Sequence, residues 1–148
     1  MSATLLYRIA AIAFVLFAFG HTYGFLNLRA PSPEARGVFD SMNSVHFEDG
    51  GRSFSYGGFY RGFGLSCTVS MILSAFLSWH LGALARSVPG SIGMLGWAFF
   101  VAQLASAALS FVYFGLPPMV LSVLVAAIVG LAAFLAAKSS LIKTQPSP

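Results

Sequence analysis

The chain has 148 residues, of which 57% are hydrophobic and 8% are charged, whereas a soluble domain carries roughly 25% charged residues. Eight basic and four acidic side chains cannot cover a domain surface in water, and a chain this apolar is equally excluded from intrinsic disorder. The net charge of +4 reflects scarce acids, and with no basic stripe interleaved with aromatics it excludes nucleic acid as a partner and leaves the lipid bilayer as the solvent.

The gaps between charges define the elements. Residues 9–28 form a 20-residue stretch without charge, about 30 Å as a helix, which predicts a first span over about residues 3–28. Arg8 and the Ala18-Phe19-Gly20 step loosely resemble a signal peptide and its cleavage site. The apolar run continues through Phe25-Leu26, however, which favours a retained helix. Next comes an outer segment, residues 29–59, that carries most of the charge. Within it, residues 34–45 fit a short amphipathic helix, 48–52 fit a turn, and 53–63 are dense in glycine and aromatics. A connection this long in so small a protein is more often structured or functional than idle.

A second span is expected over about 60–86, where residues 62–85 carry no charge. Residues 87–137 then run 51 positions without one, too long for a single crossing. Gly115-Leu116-Pro117-Pro118 divides this run into spans over about 91–114 and 118–138, with proline suited to a first helical turn. The expected fold is therefore all-α. It is a polytopic membrane protein of one domain, residues 1–148, built as an antiparallel bundle of four transmembrane helices with a structured loop between the first two.

Helix association in lipid relies on small residues and interhelical hydrogen bonds. Gly62, Ser66, Ser70, Ser74, Ser78 and Gly82 recur every fourth residue in the second span. Shorter series occur in the third (Ala98, Ala102, Ser106, Ser110), the fourth (Ser122, Ala126, Gly130) and the first (Gly20, Gly24). These series are expected to pack, although the serines also suit the lining of a pore. The single cysteine, Cys67, excludes an intrachain disulfide and reads as a small buried hydrophobe. Trp79, Trp97, Tyr7, Tyr23, Tyr60 and Tyr113 fall near helix ends, as interface aromatics do.

Arg8, Arg86, Lys138 and Lys143 share one side without an acid, while four arginines and four acids occupy the other. The basic count is a tie. Discounting outer arginines that pair with acids or lie remote from the helix ends places both termini on the cytoplasmic side of a cell membrane.

Candidate chemistry gathers on the outer side. His21 and His46, with Glu48 and Asp49 following, are the best placed group for a divalent ion, although no recognised ligand spacing supports one. Two hydrogen-bonding histidines are the simpler expectation. His21 and His80 differ in depth by roughly 18 Å as helices, too far to share a haem, and His80 beside Trp79 suits an interface. Arg61 follows Tyr60 at the start of the second span and needs a carboxylate, a lipid phosphate or water. A salt bridge within its own loop is the structural expectation; an anionic headgroup or polar substrate is the functional one. Gln103 is the lone amide in mid-membrane and is expected to bond across a helix interface or to face a ligand pocket. With Tyr23 and Arg52, these residues make the candidate ligand-binding set: His21, Tyr23, His46, Arg52, Tyr60, Arg61 and Gln103. No GxSxG elbow, P-loop or GxGxxG turn is present, so no catalytic residue is assigned.

The stretch from Met42 to Arg52, with Gly50-Gly51-Arg52-Ser53, continues into Phe59-Tyr60-Arg61-Gly62-Phe63-Gly64-Leu65. It resembles a family of small bacterial four-helix integral membrane proteins of uncharacterised activity, distantly DoxX-like. Gly58 stands where that family often carries an acid. The resemblance covers about 25 residues, implies a four-helix membrane fold, and brings no activity or cofactor. The expected function is non-catalytic: binding a lipid-like, sterol-like or quinone-like molecule, or service as an accessory subunit of a membrane complex. Two alternatives stay open. One is a small membrane enzyme or redox component at the outer mouth, using His21, His46, Tyr60 and Arg61. The other is a homo-oligomeric transporter or channel built on the serine face.

Overall fold

The computed structural model describes residues 1–143. The elements in chain order are α1 (Ala3–Leu26), α2 (Pro33–Ser44), β1 (His46–Asp49), β2 (Arg52–Ser55), α3 (Tyr56–Ser87), a 3-10 turn (Pro89–Ser91), α4 (Gly93–Tyr113) and α5 (Leu116–Lys143). Helix accounts for 84% of the described residues, so the small hairpin does not alter the all-α class. Four helices, α1, α3, α4 and α5, are long and apolar enough to cross a bilayer, and the protein is a multi-pass membrane protein. Their boundaries lie close to the expected ones, except that α3 begins four residues earlier, at Tyr56 rather than at 60, and α5 runs on to Lys143 rather than ending at 138.

Local sequence explains the ends. The Ser32 hydroxyl accepts a bond from the Ala35 amide and caps α2, with Pro33 at the first helical position. Glu34 lies in the same first turn, and hydrogen bonding from Ser32 holds its carboxyl below the ordinary carboxylate range. Gly50 and Gly51, at φ of 56° and 75°, make the tight turn between β1 and β2. The antiparallel register sets Phe47 opposite Phe54 and Asp49 opposite Arg52. At α5, Pro117 and Pro118 fall in the first turn, where no intrahelical amide bond is lost.

The chain forms two compact units, residues 1–17 with 72–148, and residues 18–71. The first is a helical bundle with a continuous core. On α1 the buried residues Ala3, Leu6, Tyr7, Ala10 and Phe14 recur at helical spacing. On α5, Ser122, Val125, Ala126, Val129, Ala132, Ala133 and Ala136 do the same. Alanine and glycine let backbones approach where the lipid tails are as apolar as the side chains, so packing rather than hydrophobic transfer holds the helices. Gly96 shows how tight this is: a Cβ there would stand 2.9 Å from both the Tyr7 hydroxyl and Ile92 Cγ2. Phe14 packs on Phe99 at 5.9 Å between centroids, and the Arg8 guanidinium lies 4.8 Å above the Trp79 ring. The outward face of the same helices is apolar, with Ile12, Phe76, Val101 and Leu124 each more than half exposed, as suits contact with acyl chains.

Several packing expectations need correction. In α3 only Ser78 and Gly82 of the small-residue series are buried; Ser74 is half-buried, and Gly62, Ser66 and Ser70 are exposed. A period of four gains about 40° of rotation per step against 3.6 residues per turn, so the series winds off the contact face. The exposed Ser66 and Ser70 hydroxyls donate instead to the carbonyls of Gly62 and Ser66. In α4 the packed face is Gly96, Phe99, Ala107 and Ser110, which leaves Ala98, Ala102 and Ser106 outside. Gly20 and Gly24 face open space. Cys67 is exposed, not buried. Among the six supposed interface aromatics, Tyr7 is fully buried, and its hydroxyl has no hydrogen-bond partner among the described residues.

Candidate ligand-binding site

Residues 18–71 contain a site built on two faces of the first turns of α3. Gly57, Tyr60, Arg61, Gly64 and Thr68 recur at helical spacing and define one face; Tyr56, Phe59 and Phe63 define the other. The first face meets α1 within this unit. His21 Nε2–H donates to the Gly64 carbonyl at 3.0 Å; a bond to a carbonyl requires that nitrogen to carry the proton, which fixes the tautomer. The Thr22 hydroxyl gives its hydrogen to the Ala18 carbonyl at 2.8 Å, so the Thr68 hydroxyl must donate the 2.8 Å bond between the two threonines. Between these bolts the Phe25 ring lies so close over Gly64 that a Cβ there would collide with it. Phe25 also stacks on His21 at 5.7 Å and tilts against Tyr60 at 5.4 Å.

The second face seats the hairpin. Phe47 packs on Phe54 across the strands at 5.9 Å, on Tyr56 at 5.0 Å and edge-on to Phe59 at 5.5 Å. Phe59 continues the cluster to Phe63 at 4.9 Å. Pairs of this geometry contribute roughly 0.5–1.5 kcal/mol each beyond the area they bury. The hairpin is thus fixed against α3 by rings rather than by ion pairs.

With α1 and the hairpin so placed, α2 encloses a cleft of about 430 Å³. Phe39 and Met42 of α2, with Phe25 and Leu26 at the end of α1 and Leu28 just beyond it, make the apolar wall. Asn43, Gly57, Tyr60 and Arg61 make the polar part. Asn43 donates through Nδ2 to the Phe39 carbonyl at 2.9 Å, which leaves its Oδ1 as an acceptor against Gly57. A Cβ on Gly57 would collide with that Oδ1 and stand 3.2 Å from the Met42 carbonyl, so glycine is what lets α2 come so near α3.

Of the seven expected site residues, the cleft brings together two, Tyr60 and Arg61. The expected salt bridge of Arg61 does not form: among the described residues, no ion pair involves it or any other arginine of the segment. Outer arginines therefore cannot be discounted as paired when the charge bias is read. His21 is a bolt between α1 and α3 rather than part of the lining. Tyr23 is 74% exposed on the opposite side of α1. His46 is exposed and donates Nδ1–H to the Ser44 carbonyl at 2.8 Å. Arg52 lies 5.1 Å over the Phe54 ring. Gln103 belongs to the other unit, where it is half-buried and makes no hydrogen bond with the described residues, so the expected bond across a helix interface is absent. His80 is exposed and stacks on Phe76 at 6.3 Å. Among the described residues, no three histidine, cysteine, aspartate or glutamate side chains form a metal-sized group, so His21 and His46 do not join Glu48 and Asp49.

Sequence alone does not single out the wall residues Phe25, Phe39, Met42 and Asn43, or the Thr22–Thr68 bond. Their signals were present but weak. Phe39 and Met42 share the apolar face of α2 at a spacing of three, and threonine in an apolar span commonly bonds to a neighbouring helix.

Chemically, the cleft offers a permanent cation, a phenol and a carbonyl acceptor beside hydrocarbon. Its lining contains no carboxylate, histidine, cysteine or serine side chain, hence no nucleophile with an adjacent base. The chain matches no known protein family, no curated protein and no solved structure.

Proposed function

We propose that this is a non-catalytic integral membrane protein that binds a lipid-like or quinone-like small molecule in the cleft of residues 18–71. The observation that carries the reading is the composition of the cleft: an apolar wall from α1 and α2 facing the unpaired Arg61 guanidinium and Tyr60 on α3. Its volume of about 430 Å³ lies within the range of small-molecule sites, and it is an open cleft whose lining is divided between apolar side chains and a few polar groups. Native mass spectrometry of the full chain in gentle detergent tests it. The expected result is a copurified amphiphile whose occupancy falls several-fold in Met42→Gln without loss of folded protein. A wild-type spectrum with apoprotein alone overturns the reading.

Both termini are proposed to lie on the cytoplasmic side. Support comes from Arg8, Arg86 and Lys138 near the span ends on that side, against Arg29 and Arg61 near the span ends on the other, where Arg36 and Arg52 lie remote from them. A carboxyl-terminal reporter active only in the cytoplasm is expected to be active; activity of an exported reporter at that position reverses the assignment.

A further inference from the structure

We infer that the cleft selects its ligand by an anionic head, with Arg61 as the anchor for that head; the inference rests on the reading that the cleft holds an amphiphile. Arg61 shares residues 29–61 with all four acids of the chain, yet no carboxylate pairs with it among the described residues. Its guanidinium stays charged at any accessible pH and presents five donors in a planar fork that matches a carboxylate or phosphate. Arg61 is exposed at the mouth of the cleft, so its guanidinium is within reach of the head of an amphiphile whose tail lies along the apolar wall. Two neighbours act in the same sense. Gly57 sets the amino end of α3 in the wall, where the helix dipole favours negative charge. Tyr60 adds a phenol hydroxyl that has no partner among the described residues.

Depth supports the same assignment. The uncharged stretch between Arg61 and Arg86 is 24 residues, about 36 Å as a helix, against a hydrocarbon core of about 30 Å. A helix of that length sets the two arginines at headgroup height on opposite faces of the bilayer. An amphiphile with its tail along Phe25, Leu26, Phe39 and Met42 then carries its head at the level of Arg61. A neutral quinone head leaves the guanidinium unneutralised; a phosphodiester or carboxylate head neutralises it. The shared chemistry is an anionic oxygen pair on a hydrocarbon chain, whether from a membrane phospholipid or a fatty acid.

The test uses the full chain in phosphatidylcholine nanodiscs doped separately with phosphatidylglycerol, oleate or ubiquinone, with retained ligand counted by native mass spectrometry. Wild type is expected to retain phosphatidylglycerol, oleate or both roughly tenfold over phosphatidylcholine and ubiquinone, the two anionic arms telling the sources apart. Arg61→Gln abolishes the preference and Arg61→Lys keeps part of it. Arg36→Gln, exposed on α2 and outside the cleft, leaves it intact. Equal retention of charged and neutral amphiphiles overturns the anionic head while the binding reading stands. Retention of none removes that reading and this inference together. An Arg36→Gln loss equal to that of Arg61→Gln assigns the preference to general surface charge and overturns it. Displacement by millimolar inorganic phosphate shows a free-anion site and also overturns it.

Discussion

The two compact units of this chain are held together by different means. In residues 1–17 with 72–148, buried alanines, glycines and a few large side chains make an uninterrupted core, and the close approach of backbones does the holding. In residues 18–71, Ala18 is the one buried side chain; the rest is held by two side-chain hydrogen bonds and two sets of stacked rings. A packed core leaves no room for a ligand. A region assembled from discrete bolts leaves a cleft between them, at the cost of exposing its walls. The unit that is looser in packing is thus the one that contains the cleft proposed to bind.

The largest expected effect tests the packed unit. Gly96→Val sets two methyl groups against the Tyr7 hydroxyl and Ile92, and overpacking of this kind costs about 3 kcal/mol. Thermal unfolding in detergent reads it as a lowered midpoint; an unchanged midpoint means that the backbones are not in obligatory contact and that the contrast between the units is one of degree. A smaller effect tests the bolted unit. Thr68→Val removes the donor to Thr22 and is expected to cost ~0.6 kcal/mol, the typical worth of an interhelical bond in lipid. Hydrogen exchange should show faster exchange confined to residues 18–71, with the global midpoint nearly unmoved. A loss as large as that of Gly96→Val erases the distinction.

The scarcity of charge makes most of the fold readable before any coordinate. Gaps between charges mark the four spans because a buried charge in lipid is expensive, and the error at Tyr56 arose because glycine and aromatic residues in 53–59 mask a helix start. The hairpin shows in the sequence only as a turn, since four-residue strands offer too little alternation to register. Small-residue series misled most. Small size at a spacing of four says that a close approach is allowed, and says nothing of which face the neighbour takes, as Gly20, Ala98 and Ser66 show. At the site, Arg61 and Tyr60 were legible because a charge at the edge of an apolar run demands explanation. Phe39, Met42 and Asn43 were not, because their role depends on how α2 folds back beside α3, a matter of loop geometry and of the missing side chain at Gly57.

The 24-residue interval between Arg61 and Arg86 has a consequence for how occupancy is set. On the proposed reading, a cleft at headgroup height does not draw its ligand from dilute aqueous solution. It exchanges molecules with the surrounding leaflet, where every site is always next to some lipid at near-molar density. Tight binding in the ordinary sense is then unnecessary, since the bulk lipid is itself the competitor and occupancy follows the mole fraction of the preferred species multiplied by its preference. A modest preference at Arg61 would make the protein a reporter of leaflet composition, graded rather than saturated over the range in which a membrane varies.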